Sequence, residues 1–256
     1  RHRKALEGRR LTMAFPALDQ APRAYARAAG LLYLVVIITG LFSQMFVQEA
    51  LIAPGDAAQT LRNIAARSDL WALGSAAAVI LAVVATLQLW IEYLLIRPVS
   101  RQGALLFLLV NIVSIAVESV SKVFLYVVGL AAEGRGLIAS LAPGGAETIA
   151  ATAFAVHHTA FHLALIFFGI ACLVLGELIA RSGFLPALIG RMMQLAGVAY
   201  LIACVAVMFF RPVAEVITPA ILIVPFVAES TLCLWLLIRG VDPGRWHARL
   251  ADQRRT

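Results

Sequence analysis

A chain of 256 residues that is 62% hydrophobic and 14% charged lies far from the roughly 45–50% apolar and roughly 25% charged composition of soluble domains. No soluble core absorbs that apolar fraction, because most helices of a soluble fold keep one wet face; the composition is that of an integral membrane protein. The net charge of +7 does not indicate a nucleic-acid partner, since the basic residues gather in tails and short loops rather than in one patch.

Residues 1–28 form a basic tail; its first part, Arg1–Thr12, precedes the first methionine, Met13, and is assigned no fold, its native status being left open. Six stretches reach the roughly 20 apolar residues that a spanning helix needs: about Ala29–Val47, Leu70–Ile96, Gly103–Ala131, Thr148–Ala180, Met193–Phe210 and Ala214–Ile238. Backbone groups have no water to bond in lipid, so runs of this length must be helical. The predicted fold is all-α, a polytopic six-transmembrane-helix bundle over residues 29–238, followed by a basic tail over 239–256. The first apolar run, Gly30–Val47, has no cleavage-site pattern behind it and reads as a retained signal anchor.

Lys and Arg divide sixteen against four between the two sides of the six-helix parse, with Lys122 inside the third helix. Cytoplasmic segments carry the excess, so both termini are expected in the cytoplasm, and a parse with five or seven helices would scramble the split. In the first outer loop, Asp56 and Gln59 have capping-box spacing, and Leu61, Ile64 and Ala65 recur at helical intervals. A short interfacial helix is expected near 56–68, with Arg62 and Arg67 toward water. Pro143, Gly144 and Gly145 read as an outer turn.

Ionisable groups at bilayer depth cost about 2.5–3.5 kcal/mol each on insertion scales, which makes them functional candidates. Glu92 and Glu177, near Arg97 and Arg181, read as interfacial carboxylates paired with basic neighbours. In the third helix Asn111, Ser114, Glu118, Ser121 and Lys122 share one face, and Glu118 precedes Lys122 in the favourable i, i+4 order. The fourth helix carries His157, His158 and His162; His158 and His162 share a face, a usable but incomplete metal spacing. No metal or cofactor is assigned on that pair. A polar contact from it to helix three, or a proton relay, is the expected role, while His157 is expected to meet a neighbouring helix or the outer headgroups. Helix six combines Pro219 and Pro225 with Glu229, and Thr218 and Cys233 fall on the Glu229 face; such proline-broken helices often line transporter sites. Cys172, Cys204 and Cys233 read as small hydrophobes. With helix directions alternating, Glu118, His162 and Glu229 fall near one depth, with Lys122 and His158 one to two turns outward.

The run Leu51-Ile-Ala-Pro-Gly-Asp-Ala-Ala-Gln-Thr60, the segment Phe161-His-Leu-Ala-Leu-Ile-Phe-Phe-Gly169, the stretch Arg181-Ser-Gly-Phe-Leu-Pro-Ala-Leu-Ile-Gly190 and the ending from Glu229 through Trp235-Leu-Leu-Ile-Arg-Gly-Val241 together resemble the bacterial membrane-protein family called domain of unknown function 4386. The resemblance spans about Arg27–Val241. It implies a six-helix protein of the bacterial inner membrane with His162 and Glu229 at motif positions, and it implies no activity. Members often carry acidic residues near Ala78 and Ala85, where this chain is apolar, and the Glu118/Lys122 stripe is not a family feature.

Three functions fit this pattern. The leading one is binding or transport of a small molecule or proton through a midplane layer of Glu118, Lys122, His158, His162 and Glu229. A second is a structural, sensory or interaction role, with small residues such as Gly74, Ala78 and Ala82 serving close packing. A third is a metal-dependent intramembrane hydrolase using His158, His162 and a carboxylate. No Gly-rich phosphate loop or soluble-type hydrolase motif is present, so catalysis is not the leading reading, and no haem or flavin is implied. The partners expected are the lipid bilayer and a small ligand or proton, and the oligomeric state is open.

Overall fold

The computed structural model describes residues 20–135, 138, 140–218 and 220–253. The N-terminal tail before residue 20, Pro219 and the basic pair Arg254 and Arg255 lie outside the described residues. The described residues form helices only: α1 (Pro22–Leu51), α2 (Ala57–Ala66), α3 (Ser68–Ile96), α4 (Arg101–Glu133), α5 (Gly145–Ser182), α6 (Ala187–Phe209), α7 (Arg211–Ile217), α8 (Ala220–Ile238) and α9 (Pro243–Gln253). Six of them (α1, α3, α4, α5, α6 and α8) are long and apolar enough to cross a membrane.

The helix ends follow local chemistry. Pro22 occupies the first position of α1, where its missing N–H costs nothing. Ser100 caps α4 by accepting from the Gly103 N–H at 3.1 Å, and Gly134, at φ +60°, ends that helix in the left-handed conformation that a side chain resists. Asp56 accepts from the Gln59 N–H at 2.8 Å to start α2. Thr218 breaks the chain into extended backbone after α7, so the last span begins six residues later than the sequence suggested. Pro225 then lies in the first turn of the α-helical part of α8, Ile223–Ile238, rather than in its middle. Thr218 is thereby outside the helix that carries Glu229.

Neighbouring spans pack in sequence order, α1 on α3, α3 on α4, α4 on α5, α5 on α6 and α6 on α8, and α8 returns to α1. The six helices therefore close into a ring. Two buried apolar clusters hold it together. The larger, at the end where α1 begins and α8 ends, includes Phe107, Ile179, Met193 and Leu232. The smaller, at the opposite end, includes Val47, Leu51, Trp71, Leu125 and Val128. The stripe of helix α4 falls between them.

The carbonyls left unpaired at helix C-termini are bonded by side chains at both ends. Asn63 of α2 donates to the Leu51 carbonyl at 3.1 Å and Arg67 donates to that of Ala50 at 2.8 Å. At the other end the segment read as a basic tail contains the helix α9. Its Trp246 is fully buried and donates to the Leu95 carbonyl at 2.9 Å, while Arg245 and Arg249 donate to those of Gly183 and Arg181. The arginines that set the charge asymmetry thus also close the helix ends.

Candidate functional site

The stripe on α4 faces α5. Ser114 donates to the Ala164 carbonyl at 2.8 Å, and the His157 ring nitrogen Nδ1 lies 3.0 Å from the Ser121 carbonyl, to which it donates. These two contacts set an antiparallel register that brings Glu118 and His162 to one level. Glu118 Oε1 and Lys122 Nζ form the i, i+4 pair at 3.8 Å, and the ammonium sits 4.6 Å from the centre of the Phe161 ring.

The imidazole that crosses to α4 is His157, buried to 4% exposure, not the His158/His162 pair. His158 is exposed on α5, and His162 donates from Nδ1 to the His158 carbonyl of its own helix at 2.7 Å. Their rings lie 4.3 Å apart. The contact expected from this pair to helix three is therefore absent among the described residues, because successive residues point about 100° apart and the phase of α5 aims position 157 at α4. Among the described residues no three His, Cys, Asp or Glu side chains converge as a metal site.

Glu229 stands at a second centre. Its Oε1 accepts the Tyr200 hydroxyl at 2.6 Å and its Oε2 accepts that of Tyr33 at 3.0 Å, so one carboxylate of α8 ties α6 to α1. Glu92 departs from the interfacial reading. It is 7% exposed and accepts from Gln88 Nε2 at 3.0 Å. Neither Glu92 nor Glu229 forms an ion pair among the described residues. Glu177 behaves as an interfacial carboxylate, 3.9 Å from Arg181 and 3.6 Å from Arg191.

The phenols were missed in the sequence, since a tyrosine in an apolar run reads as packing. Gln88 was visible: it stands one turn before Glu92 on the same face.

A cavity of about 360 Å³ opens between α1, α3 and α4 in the half of the ring away from the termini. Ala78 and Ala82 line it, while Gly74 packs against Val47, where an added Cβ would meet the Val47 Cγ1 at 2.6 Å. Gly74 lines the same cavity, so all three small residues border it and Gly74 packs on Val47 as well.

The sequence profile of a family described as "Domain of unknown function (DUF4386)" matches residues 28–240. No curated protein and no solved structure matches the chain.

Proposed function

We propose, from the premise that the chain belongs to the DUF4386 family, that this multi-pass membrane protein takes up a proton at Glu229 and uses it to gate binding or passage of a small molecule through the interior of the ring. The carrying observation is the carboxylate of Glu229, bonded on each oxygen by a phenol from a different helix and lacking an ion pair among the described residues. A charge in lipid is retained at a cost of several kcal/mol unless it is neutralised, by a counter-ion or by a proton. As a carboxylate Glu229 accepts from both tyrosines. A proton on Oε2 turns that oxygen into a donor, and the Tyr33 hydroxyl must then rotate to accept or lose its partner. The protonation state is thereby felt in α1 through Tyr33, while Tyr200 of α6 keeps its bond to Oε1.

The family resemblance implies a bacterial inner membrane, and the sixteen-to-four division of Lys and Arg supports an orientation with both termini and α9 in the cytoplasm. Glu229 then serves as the proton acceptor, Tyr33 as the group that reads it, Tyr200 as the group that holds it, and Glu118, Lys122 and His162 as neighbours in the same layer. Infrared difference spectra of the protein in liposomes across a pH step test this: a carboxyl band that responds to pH and vanishes in Glu229→Gln is expected. A spectrum unchanged by that substitution, with no pH-dependent solute flux, would overturn the proposal.

A second reading is favoured by the satisfied part of the layer. Ser114, Ser121 and His157 all spend their hydrogen bonds within or between α4 and α5, as interhelical polar contacts worth about 0.6–2 kcal/mol do in a purely structural layer. Under it, Glu229→Gln would lower stability without changing any proton-dependent signal.

A further inference from the structure

The end of the ring where α1 begins and α8 ends carries a pocket of about 490 Å³ that shares no residue with the Glu229 centre. Three segments build it: the first turn of α1, the link from α5 to α6 and the link from α8 to α9. Backbone contacts hold the three together. The Asp242 N–H donates to the Phe184 carbonyl at 3.3 Å. Gly240, at φ +68°, lies so close to α1 that an added Cβ would stand 3.0 Å from the Arg23 Cγ.

Charge defines the chemistry of the occupant. The lining includes three arginines, Arg23, Arg239 and Arg245, against one carboxylate, Asp242, and all three arginines are exposed. Arg23 Nε and Arg245 Nη1 donate to the carbonyls of Arg239 and Gly183, each at 3.1 Å, which holds these two guanidinium groups at the pocket. Each guanidinium has five N–H donors, so one such bond leaves most of them for a ligand. Arg245 also pairs with Asp242 at 3.9 Å. The Arg239 guanidinium has no hydrogen bond or ion pair among the described residues. Planar guanidinium groups bind phosphate through two parallel N–H bonds, and the pocket keeps a net positive charge with which to do so.

Depth and the opposite wall select a lipid over a soluble phosphate. α8 spans 19 residues, about 28 Å at a rise of about 1.5 Å per residue, against about 30 Å for the hydrocarbon core. Arg239, the residue after its end, therefore stands at the level of the headgroups. Ile238, just before it, is an exposed apolar residue on the outside of the ring. Phe184, Leu185 and Trp235 give the pocket an apolar side, which a free phosphate would leave unused.

We infer that this pocket binds the headgroup of an anionic phospholipid, its phosphodiester against Arg23, Arg239 and Arg245 and the first carbons of its chains toward Phe184, Leu185 and Trp235. The inference needs the bilayer placement but not a proton at Glu229, so the two can fail independently.

The test is native mass spectrometry of the full chain, delipidated in detergent and titrated with phosphatidylglycerol or phosphatidylethanolamine of the same chains, with glycerol phosphate as a soluble competitor. The wild type should retain phosphatidylglycerol at least about tenfold more tightly, or by about 1.4 kcal/mol, because the zwitterionic lipid brings an ammonium to the arginines. Arg239→Gln should remove most of that preference with the melting temperature nearly unchanged. Arg191→Gln, at the same end of the ring but outside the pocket, should keep it. Equal retention of the two lipids by the wild type would overturn the inference, whether or not the variants fold. An equal loss of preference in Arg239→Gln and Arg191→Gln would overturn it as diffuse surface charge, and displacement of phosphatidylglycerol by millimolar glycerol phosphate would overturn it as a soluble-phosphate site. Should Arg239→Gln not fold, Arg245→Gln takes its place in the comparison.

Discussion

Gly176 and Gly190 meet backbone to backbone: a Cβ added to Gly176 would stand 2.5 Å from the Gly190 carbonyl oxygen. Gly169 and Gly197 repeat the contact seven residues on, where a Cβ on Gly197 would stand 2.5 Å from the Gly169 carbonyl. Seven residues are two helical turns, so the glycines form one seam along which α5 and α6 approach as closely as backbones allow. That approach places Tyr200, three residues past Gly197, against Glu229.

Gly176→Leu should therefore separate α5 from α6. Thermal unfolding of the intact protein in detergent should show a loss of about 1–3 kcal/mol, the usual cost of overpacking. Leu188→Ala, on a residue that is 71% exposed on α6, should leave the melting temperature nearly unchanged.

The three histidines of α5 should rank by burial. His157→Ala removes a buried ring and its bond to the Ser121 carbonyl, which keeps its own helical partner, so the lost hydrogen bond costs about 0.5–1.5 kcal/mol and the vacated space adds to it. His158→Ala removes an exposed ring and should cost much less. Parallel melts of the two variants check the order, and a larger loss in His158→Ala would contradict the assigned phase of α5.

Trp246→Ala should release α9 from the ring. The indole is fully buried and bonded to the Leu95 carbonyl, and truncating a buried aromatic costs about 3–5 kcal/mol. Limited proteolysis should then cut after residue 239 in the variant at protease levels that leave the wild type intact.

Asp56→Ala should fray α2 by about 1 kcal/mol, the ordinary value of a lost N-cap, because the carboxylate accepts from the Gln59 N–H. Hydrogen exchange is the readout. Faster exchange should be confined to 57–66 and to the end of α1 that Asn63 and Arg67 close.

The six spans were legible because lipid permits an apolar run of such length only one conformation, and composition alone locates the runs. The α4 stripe was legible for a related reason. Five polar residues on one face of an apolar helix must turn inward, whichever neighbour receives them. The family could be recognised from short motifs at Leu51–Thr60, Phe161–Gly169, Arg181–Gly190 and Glu229–Val241, and the profile match over residues 28–240 agrees.

Which residues meet across helices was beyond the sequence. A single-residue step turns a side chain by about 100°, so hydropathy that is apolar on every face leaves the rotation of α5 undetermined, and with it the choice of His157 over His158 and His162 as the group facing α4. The same freedom hid Tyr33 and Tyr200, whose phenols acquire meaning only where three helices bring them to one carboxylate, and it hid the cavity that Gly74, Ala78 and Ala82 border. The apolar solvent determined that these segments are helices. Contacts between side chains on different helices, summed around a closed ring, decided how each one is turned.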